Sequence, residues 1–184
     1  MKRESIFMIF IKGFGFMVFG NILGGILTIS AAPFIGEWFV PYIAVLLTVF
    51  IYGSLLFTAG WKDGQNEAKL LRNHRVESSP KLRWVWLGLI LAVLACIPCI
   101  ILLAGTLGAL ELTGEFLFAF RFICGALAPA IYIAELQQLP ASEYPAAFPL
   151  ILSAVYLVIT PAAAQIGYKF GIDEKSMKDF MYEK

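Results

Sequence analysis

Cys96 and Cys99, three residues apart with Pro98 between them, are the one pattern in this 184-residue chain that suggests redox chemistry. Two thiols at this spacing can form a reversible disulfide. A buried cysteine is also a good small hydrophobic residue, so simple packing is the alternative explanation. Thiol oxidases that pass electrons to quinone use a second cysteine pair, whereas only Cys124 remains here. We therefore expect no catalytic residue and keep a membrane thiol–quinone oxidoreductase using Cys96 and Cys99 as an alternative.

Three polar side chains within apolar sequence are the other candidates for function: Arg121, Asn21 and Gln165. A charge inside a membrane indicates function by default, unless the side chain reaches the interface, as Arg121 does if it snorkels. Asn21 needs a hydrogen-bond partner inside a helix bundle. Thr160, Pro161 and Gln165 form a polar notch, because a proline within a helix frees a carbonyl group that a neighbour or water must satisfy. The notch lines a cavity in one interpretation and packs around a kink in the other.

Several other kinds of chemistry are excluded by residue types and charge. His74 is the single histidine and has no cysteine or acidic cluster at ligand spacing, so we expect no metal site and no cofactor. The net charge of +1 gives no field that attracts nucleic acid, so no nucleic-acid partner is expected. Three cysteines are too few for a disulfide scaffold.

Composition places these residues in a membrane. Hydrophobic residues make up 60% of the chain and charged residues only 15%, whereas soluble domains carry about 25% charged residues. A membrane-spanning helix needs about 20 mostly apolar residues. Four uncharged stretches meet that length and are each too short for two helices. They contain 24 residues after Lys12, 24 after Glu37, 27 after Arg83 and 25 after Glu143.

The distribution of basic residues predicts the topology. Lys and Arg cluster at the N-terminus, between the second and third spans and at the C-terminus, whereas residues 107–147 contain only Arg121. Four spans place all of these clusters in the cytoplasm, as the positive-inside rule requires, together with both termini. A fifth span, at 116–136, would place the C-terminal lysines outside. The prediction is a single membrane domain, 1–184, with spans at about 13–32, 39–60, 85–107 and 148–168, a non-crossing outer helix at about 116–136, a cytoplasmic loop at 61–83 and a cytoplasmic tail at 169–184.

Small residues in the first span predict close helix packing. Gly20 and Gly24 are four residues apart, and such a pair lets a second helix approach closely. We expect this packing to be within the chain, with a homo-oligomer or other membrane subunits as the alternative partners. The lipid bilayer is the expected environment in either case.

Two short stretches carry a resemblance to known proteins. Residues 60–64 read Gly-Trp-Lys-Asp-Gly, and residues 167–172 read Gly-Tyr-Lys-Phe-Gly-Ile. They resemble the loop and the C-terminal tail of a group of uncharacterised multi-spanning membrane proteins from Gram-positive bacteria. That group has an asparagine where this chain has Lys69. The resemblance implies a bacterial cell membrane, with the loop and the tail on the same side, and implies no activity.

The sequence thus predicts an all-α integral membrane protein, a bundle of four transmembrane helices with an additional broken outer helix that is re-entrant or interfacial. We expect it to be a non-catalytic accessory, assembly or immunity-type membrane component. One alternative is a small transporter or channel subunit built around the notch at Thr160–Gln165 with Asn21 and Arg121, and the second is the thiol–quinone enzyme.

Overall fold

A computed structural model describes residues 4–34, 37–111, 113–135 and 145–173, and within these ranges the secondary structure is helical without any strand. Four helices are long and apolar enough to cross a membrane. The predicted all-α membrane bundle with four spanning helices is therefore confirmed. The helices are α1 (Ile6–Ala31), α2 (Val40–Arg72), α3 (Arg83–Thr106), α4 (Gly114–Ile123), α5 (Pro129–Glu135) and α6 (Ala147–Ile172), with a 3-10 turn at Ala32–Phe34 after α1.

Successive spanning helices run in opposite directions. On α3, Gly88 packs against Pro161 of α6, whereas Cys96, further along α3, contacts Ser153, which comes earlier in α6, so these two helices are antiparallel. α2 runs parallel to α6, since Gly60 packs on Ala164 and Gly64 on Tyr168, and Gly13 near the start of α1 lies against Trp84 at the start of α3. α1 and α3 therefore begin at the end of the bundle where α2 and α6 finish, and we call this the basic end. Its basic residues, within the described ranges, are Lys12, Lys62, Lys69, Arg72, Arg75, Lys81, Arg83 and Lys169.

The parallel pair α2 and α6 interlocks through four glycines that lie in the two stretches noted above, residues 60–64 and 167–171. At each glycine an added methyl group would collide with a backbone carbonyl oxygen of the other helix. Only glycine allows this approach, which brings the two backbones into direct contact. The contacts follow a local two-fold pattern, with Gly60 on Ala164, Gly64 on Tyr168, Gly167 on Phe57 and Gly171 on Trp61.

Three spanning helices extend further toward the basic end than the predicted spans. Residues 61–72, predicted as part of a loop, continue α2 for three turns, and only 73–82 connect α2 to α3. The helix persists there because one of its faces is buried, including Asp63, Gly64 and Glu67, although its sequence is charged. In the same way α1 begins at Ile6 and α6 continues to Ile172, so the first residues of the predicted tail are helical. Residues 174–184 of that tail lie outside the described residues.

The broken outer helix predicted at 116–136 consists of two helices, α4 and α5, separated by a turn at 124–128. Proline at position 129 disfavours helical backbone at the preceding residue, and this breaks the segment. α3 ends and α6 begins at the end opposite the basic end, and α4 and α5 come between them in the chain. Residue 136 lies outside the described residues.

Candidate functional site

The turn at 124–128 is buried inside the bundle. It packs against the half of α1 that lies away from the basic end. Every residue from Cys124 to Ile131 is buried. An added methyl group on Gly24 or Gly125 would collide with the backbone across this contact. The two glycines therefore explain how an irregular segment fits between helices. We call residues 124–128 the buried turn.

Side chains of α1 and α2 satisfy both backbone polar groups of Ala126, in the middle of the buried turn. The amide of Ala126 donates a hydrogen bond to Oδ1 of Asn21 at 3.2 Å. Its carbonyl oxygen accepts one from the hydroxyl of Thr48 at 2.7 Å, the shortest contact of that hydroxyl. Backbone groups without partners are costly at membrane depth, so these two bonds are what makes the turn tolerable there.

Two tyrosines connect Asn21 to the middle of α6. The hydroxyl of Tyr156 donates to the same Oδ1 of Asn21 at 3.0 Å. The ring of Tyr156 stands edge-on to that of Tyr52, with centroids 5.5 Å apart, and the hydroxyls of Tyr52 and Thr160 are 3.0 Å apart. All of these side chains are buried. Asn21 and Thr160 thus belong to one network, whereas the predicted notch contained Thr160, Pro161 and Gln165.

Gln165 makes its hydrogen bond at a different place from that network. Nε2 of Gln165 donates to the carbonyl oxygen of Lys81 at the basic end at 2.9 Å. Between Gln165 and Thr160, Pro161 packs against Gly88 of α3, so the three residues of the predicted notch face different neighbours. Arg121 is half-buried on the last turn of α4.

The three cysteines are buried, and their sulfurs have different neighbours. Sγ of Cys96 donates to the carbonyl oxygen of Ser153 on α6 at 3.5 Å. Sγ of Cys99 lies 4.0 Å from Sγ of Cys124 in the buried turn. We call Cys99 and Cys124 the close sulfur pair; it joins α3 to the turn. The spacing in the sequence had suggested Cys96 with Cys99.

A cluster of buried charges at the basic end was missed by the sequence analysis. Nη1 of Arg83 lies 3.4 Å from Oε2 of Glu67 and 3.6 Å from Oδ2 of Asp63. The same Asp63 oxygen accepts a hydrogen bond from the indole N–H of Trp84 at 2.9 Å, and Nη2 of Arg83 donates to the backbone oxygen of Glu4. The exposed fractions of the three charged side chains are 7% for Arg83, 9% for Asp63 and 2% for Glu67. The cluster joins α2 and α3 to the residues that directly precede α1.

One sequence signal could have found this cluster. Asp63 and Glu67 are four residues apart, which places both carboxylates on one face of a helix. The signal is visible only if α2 is known to continue past residue 61, and a run of charges normally indicates a solvated loop.

An apolar groove of about 630 Å³ opens between α1, α3 and α4 on the outer surface of the bundle. Several lining side chains are exposed in the membrane-spanning helices, including Val18, Ile22 and Ile97. Its wall also contains residues that adjoin the close sulfur pair in sequence: Ala95, Pro98, Phe120 and Ile123. We call this the apolar groove.

Among the described residues, no group of three or more histidine, cysteine or acidic side chains is placed to hold a metal ion. Comparison of the chain with protein families, with curated proteins and with solved structures finds no match. The geometry above is therefore the basis for any functional assignment.

Proposed function

We propose that this chain is a non-catalytic membrane component, of accessory, assembly or immunity type, that acts by packing against other membrane proteins. The observation that carries the proposal is that the buried turn is enclosed by protein and that both backbone polar groups of Ala126 are hydrogen-bonded. Irregular backbone at membrane depth either lines a water-filled cavity, as in channels and transporters, or is buried in protein. Here Asn21 and Thr48 bind the turn, and its residues are buried, which favours a structural part over a pathway.

Asn21 and Thr160, which the transporter alternative requires, form hydrogen bonds that hold elements of the bundle together. Asn21 accepts two hydrogen bonds, and the hydroxyl of Thr160 is hydrogen-bonded to that of Tyr52. An ion or solute that passed through the bundle would have to displace these partners. Gln165 binds the carbonyl oxygen of Lys81 at the basic end and does not extend the network into a path. These contacts support the packing function over the transporter alternative.

The proposal includes an orientation. The first helix begins and the last described helix ends at the basic end, together with the 73–82 connection. The positive-inside rule places this end in the cytoplasm of a bacterial cell, with both termini. Single cysteines at Ser79, Glu143 and Ser176, in a chain whose native cysteines are alanine, test this with a membrane-impermeant maleimide. We expect labelling of intact cells at position 143 alone. Labelling at position 79 would instead show that the basic end faces the outside of the cell.

Photocrosslinking tests whether the outer surface contacts a protein. A photoreactive amino acid replaces Phe50 of α2 or Val158 of α6, whose side chains are 73% and 65% exposed, and the chain is expressed in its native host. We expect a discrete adduct with a membrane protein from at least one of these positions. The matched control is Leu56, which is fully buried and should give no adduct. An adduct of twice the mass of the chain would identify the partner as a second copy.

Reconstitution separates the proposal from its alternative. Proteoliposomes that contain the purified chain are expected to keep an imposed proton gradient and an imposed potassium gradient as long as protein-free liposomes do. A gradient that wild type dissipates, and that folded Asn21→Ala preserves, would contradict the proposal and support a channel or transporter.

A further inference from the structure

Three polar side-chain atoms at the basic end are buried and find no hydrogen-bond partner among the described residues. They are Nε of Arg83, the hydroxyl oxygen of Tyr168 and Oε1 of Gln165. The exposed fractions are 7% for the side chain of Arg83, 0% for Tyr168 and 8% for Gln165. A buried polar atom without a partner is costly, and an ordered water removes that cost by binding such atoms, about three at a time.

The three side chains meet where α6 passes the start of α3. Gln165 and Tyr168 are three residues apart on α6, which places them on one face of that helix. Nε2 of Gln165 donates to the carbonyl oxygen of Lys81, two residues before Arg83. The guanidinium of Arg83 is close enough to act electrostatically on the hydroxyl of Tyr168, although no hydrogen bond of ordinary length and angle joins them. Polar groups that are near each other without a direct bond have the arrangement that a bridging water produces.

The pattern of donors and acceptors identifies the class of ligand. Nε of Arg83 can only donate, Oε1 of Gln165 can only accept, and the hydroxyl of Tyr168 can do either. A metal cation or an ammonium group cannot accept a hydrogen bond from Arg83. An anion such as chloride cannot donate to Gln165, and the two carboxylates beside the guanidinium would repel it. Water both accepts and donates, so one molecule can bind all three atoms.

Two clefts at the basic end bring water close to this place. Tyr168 borders a cleft of about 540 Å³ between the 73–82 connection and the end of α6. Arg83 borders a second cleft, of about 600 Å³, between the start of α3 and the residues that precede α1. Leu82 lines both clefts, so they adjoin each other at the start of α3. A water molecule therefore has a short path from the end of the bundle to the three buried atoms.

We propose that one ordered water molecule binds between α3 and α6 at the basic end. It accepts a hydrogen bond from Nε of Arg83, donates one to Oε1 of Gln165 and shares a third with the hydroxyl of Tyr168. The other two nitrogens of the guanidinium already bind Glu67 and the backbone oxygen of Glu4, so the water completes the hydrogen bonding of this buried cation. The site does not depend on the proposed packing function, and it adds a bound solvent molecule to the contacts between α3 and α6.

Radiolytic labelling tests the site. Short X-ray pulses convert water into hydroxyl radicals, which add oxygen to an adjacent aromatic ring, so a fully buried tyrosine is labelled only where water lies beside it. The full chain in lipid nanodiscs is irradiated and digested, and the rate of oxygen addition at each tyrosine is read by mass spectrometry. Tyr52 and Tyr156 are matched controls, because both are as buried as Tyr168 and their hydroxyls bind Thr160 and Asn21. We expect Tyr168 to be labelled several-fold faster than either control, and equal rates would overturn the proposal.

A pair of variants separates bound water from water in the cleft. Gln165→Leu removes one of the three partners, and we expect it to lower the rate at Tyr168 several-fold. Ser79→Ala changes the wall of the neighbouring cleft and keeps all three atoms, so it should leave that rate unchanged. Unchanged labelling of Tyr52 identifies a folded variant, and Gln165→Met takes the place of Gln165→Leu if the latter does not fold. A rate at Tyr168 that stays at the wild-type value without Gln165 would show that cleft water alone labels the ring, and it would overturn the bound-water site.

Discussion

Replacing Arg83 by methionine is expected to destabilise the bundle more than any change to an exposed charge. The guanidinium lies 3.4 and 3.6 Å from the carboxylates of Glu67 and Asp63, and all three side chains are nearly buried. At about 3.5 Å and an effective dielectric constant of about 20, each pair attracts by roughly 5 kcal/mol before the cost of desolvation. Removing one partner of a buried ion pair typically costs about 3–5 kcal/mol, because the remaining charge is left uncompensated. We expect a loss of this size in the free energy of unfolding.

The assay is unfolding by sodium dodecyl sulfate in mixed micelles, followed by far-ultraviolet circular dichroism. Lys69→Met, on the exposed side of the last turn of α2, is the matched control and should change stability by less than about 0.5 kcal/mol. A triple variant with Asp63→Asn, Glu67→Gln and Arg83→Met should recover most of the loss, because a neutral cluster avoids the buried charges. The reasoning is refuted if Arg83→Met is as stable as Lys69→Met, or if the triple variant is no better than the single one.

Two further predictions use the same unfolding assay. Gly167→Ala should cost at least about 1–3 kcal/mol, since its methyl group meets a carbonyl of α2, whereas Gly15→Ala, with nothing within 4 Å, should be neutral or slightly stabilising. Equal effects would contradict the glycine interlock. Asn21→Ala should cost about 1–3 kcal/mol by leaving a buried amide of the turn unpaired, whereas Ser54→Ala on exposed α2 surface should cost little. Similar losses in these two variants would show that the turn does not depend on Asn21.

Spacing between charges was enough to predict the spanning helices, because each uncharged stretch fits the thickness of a bilayer once. Charge was a poor guide to where helices end. The stretch around Asp63 and Glu67 has the composition of a loop, and it is helical because its neighbours α3 and α6 bury one face. That stabilisation comes from tertiary contacts, which local composition does not contain.

The partners of the polar residues could not be predicted, because they are distant in sequence or belong to the backbone. Asn21 was expected to need a hydrogen-bond partner, and its partners are the amide of Ala126 and the hydroxyl of Tyr156. A backbone amide has no sequence signature. The proximity of Cys99 to Cys124 depends in turn on the path of the buried turn, whereas the Cys96–Cys99 spacing is visible in the sequence itself.

The glycine contacts between α2 and α6 also constrain the order of biosynthesis. Gly167 follows Gly60 by 107 residues, so α2 enters the membrane long before its closest partner has been translated. During that interval the glycine face of α2 is open to lipid or to an insertion factor, because α6 has not yet been translated. The bundle is completed only when α6 arrives, so a ribosome that stalls before α6 leaves an intermediate with an uncovered helix face. α6 is therefore the element whose arrival covers the glycine face of α2.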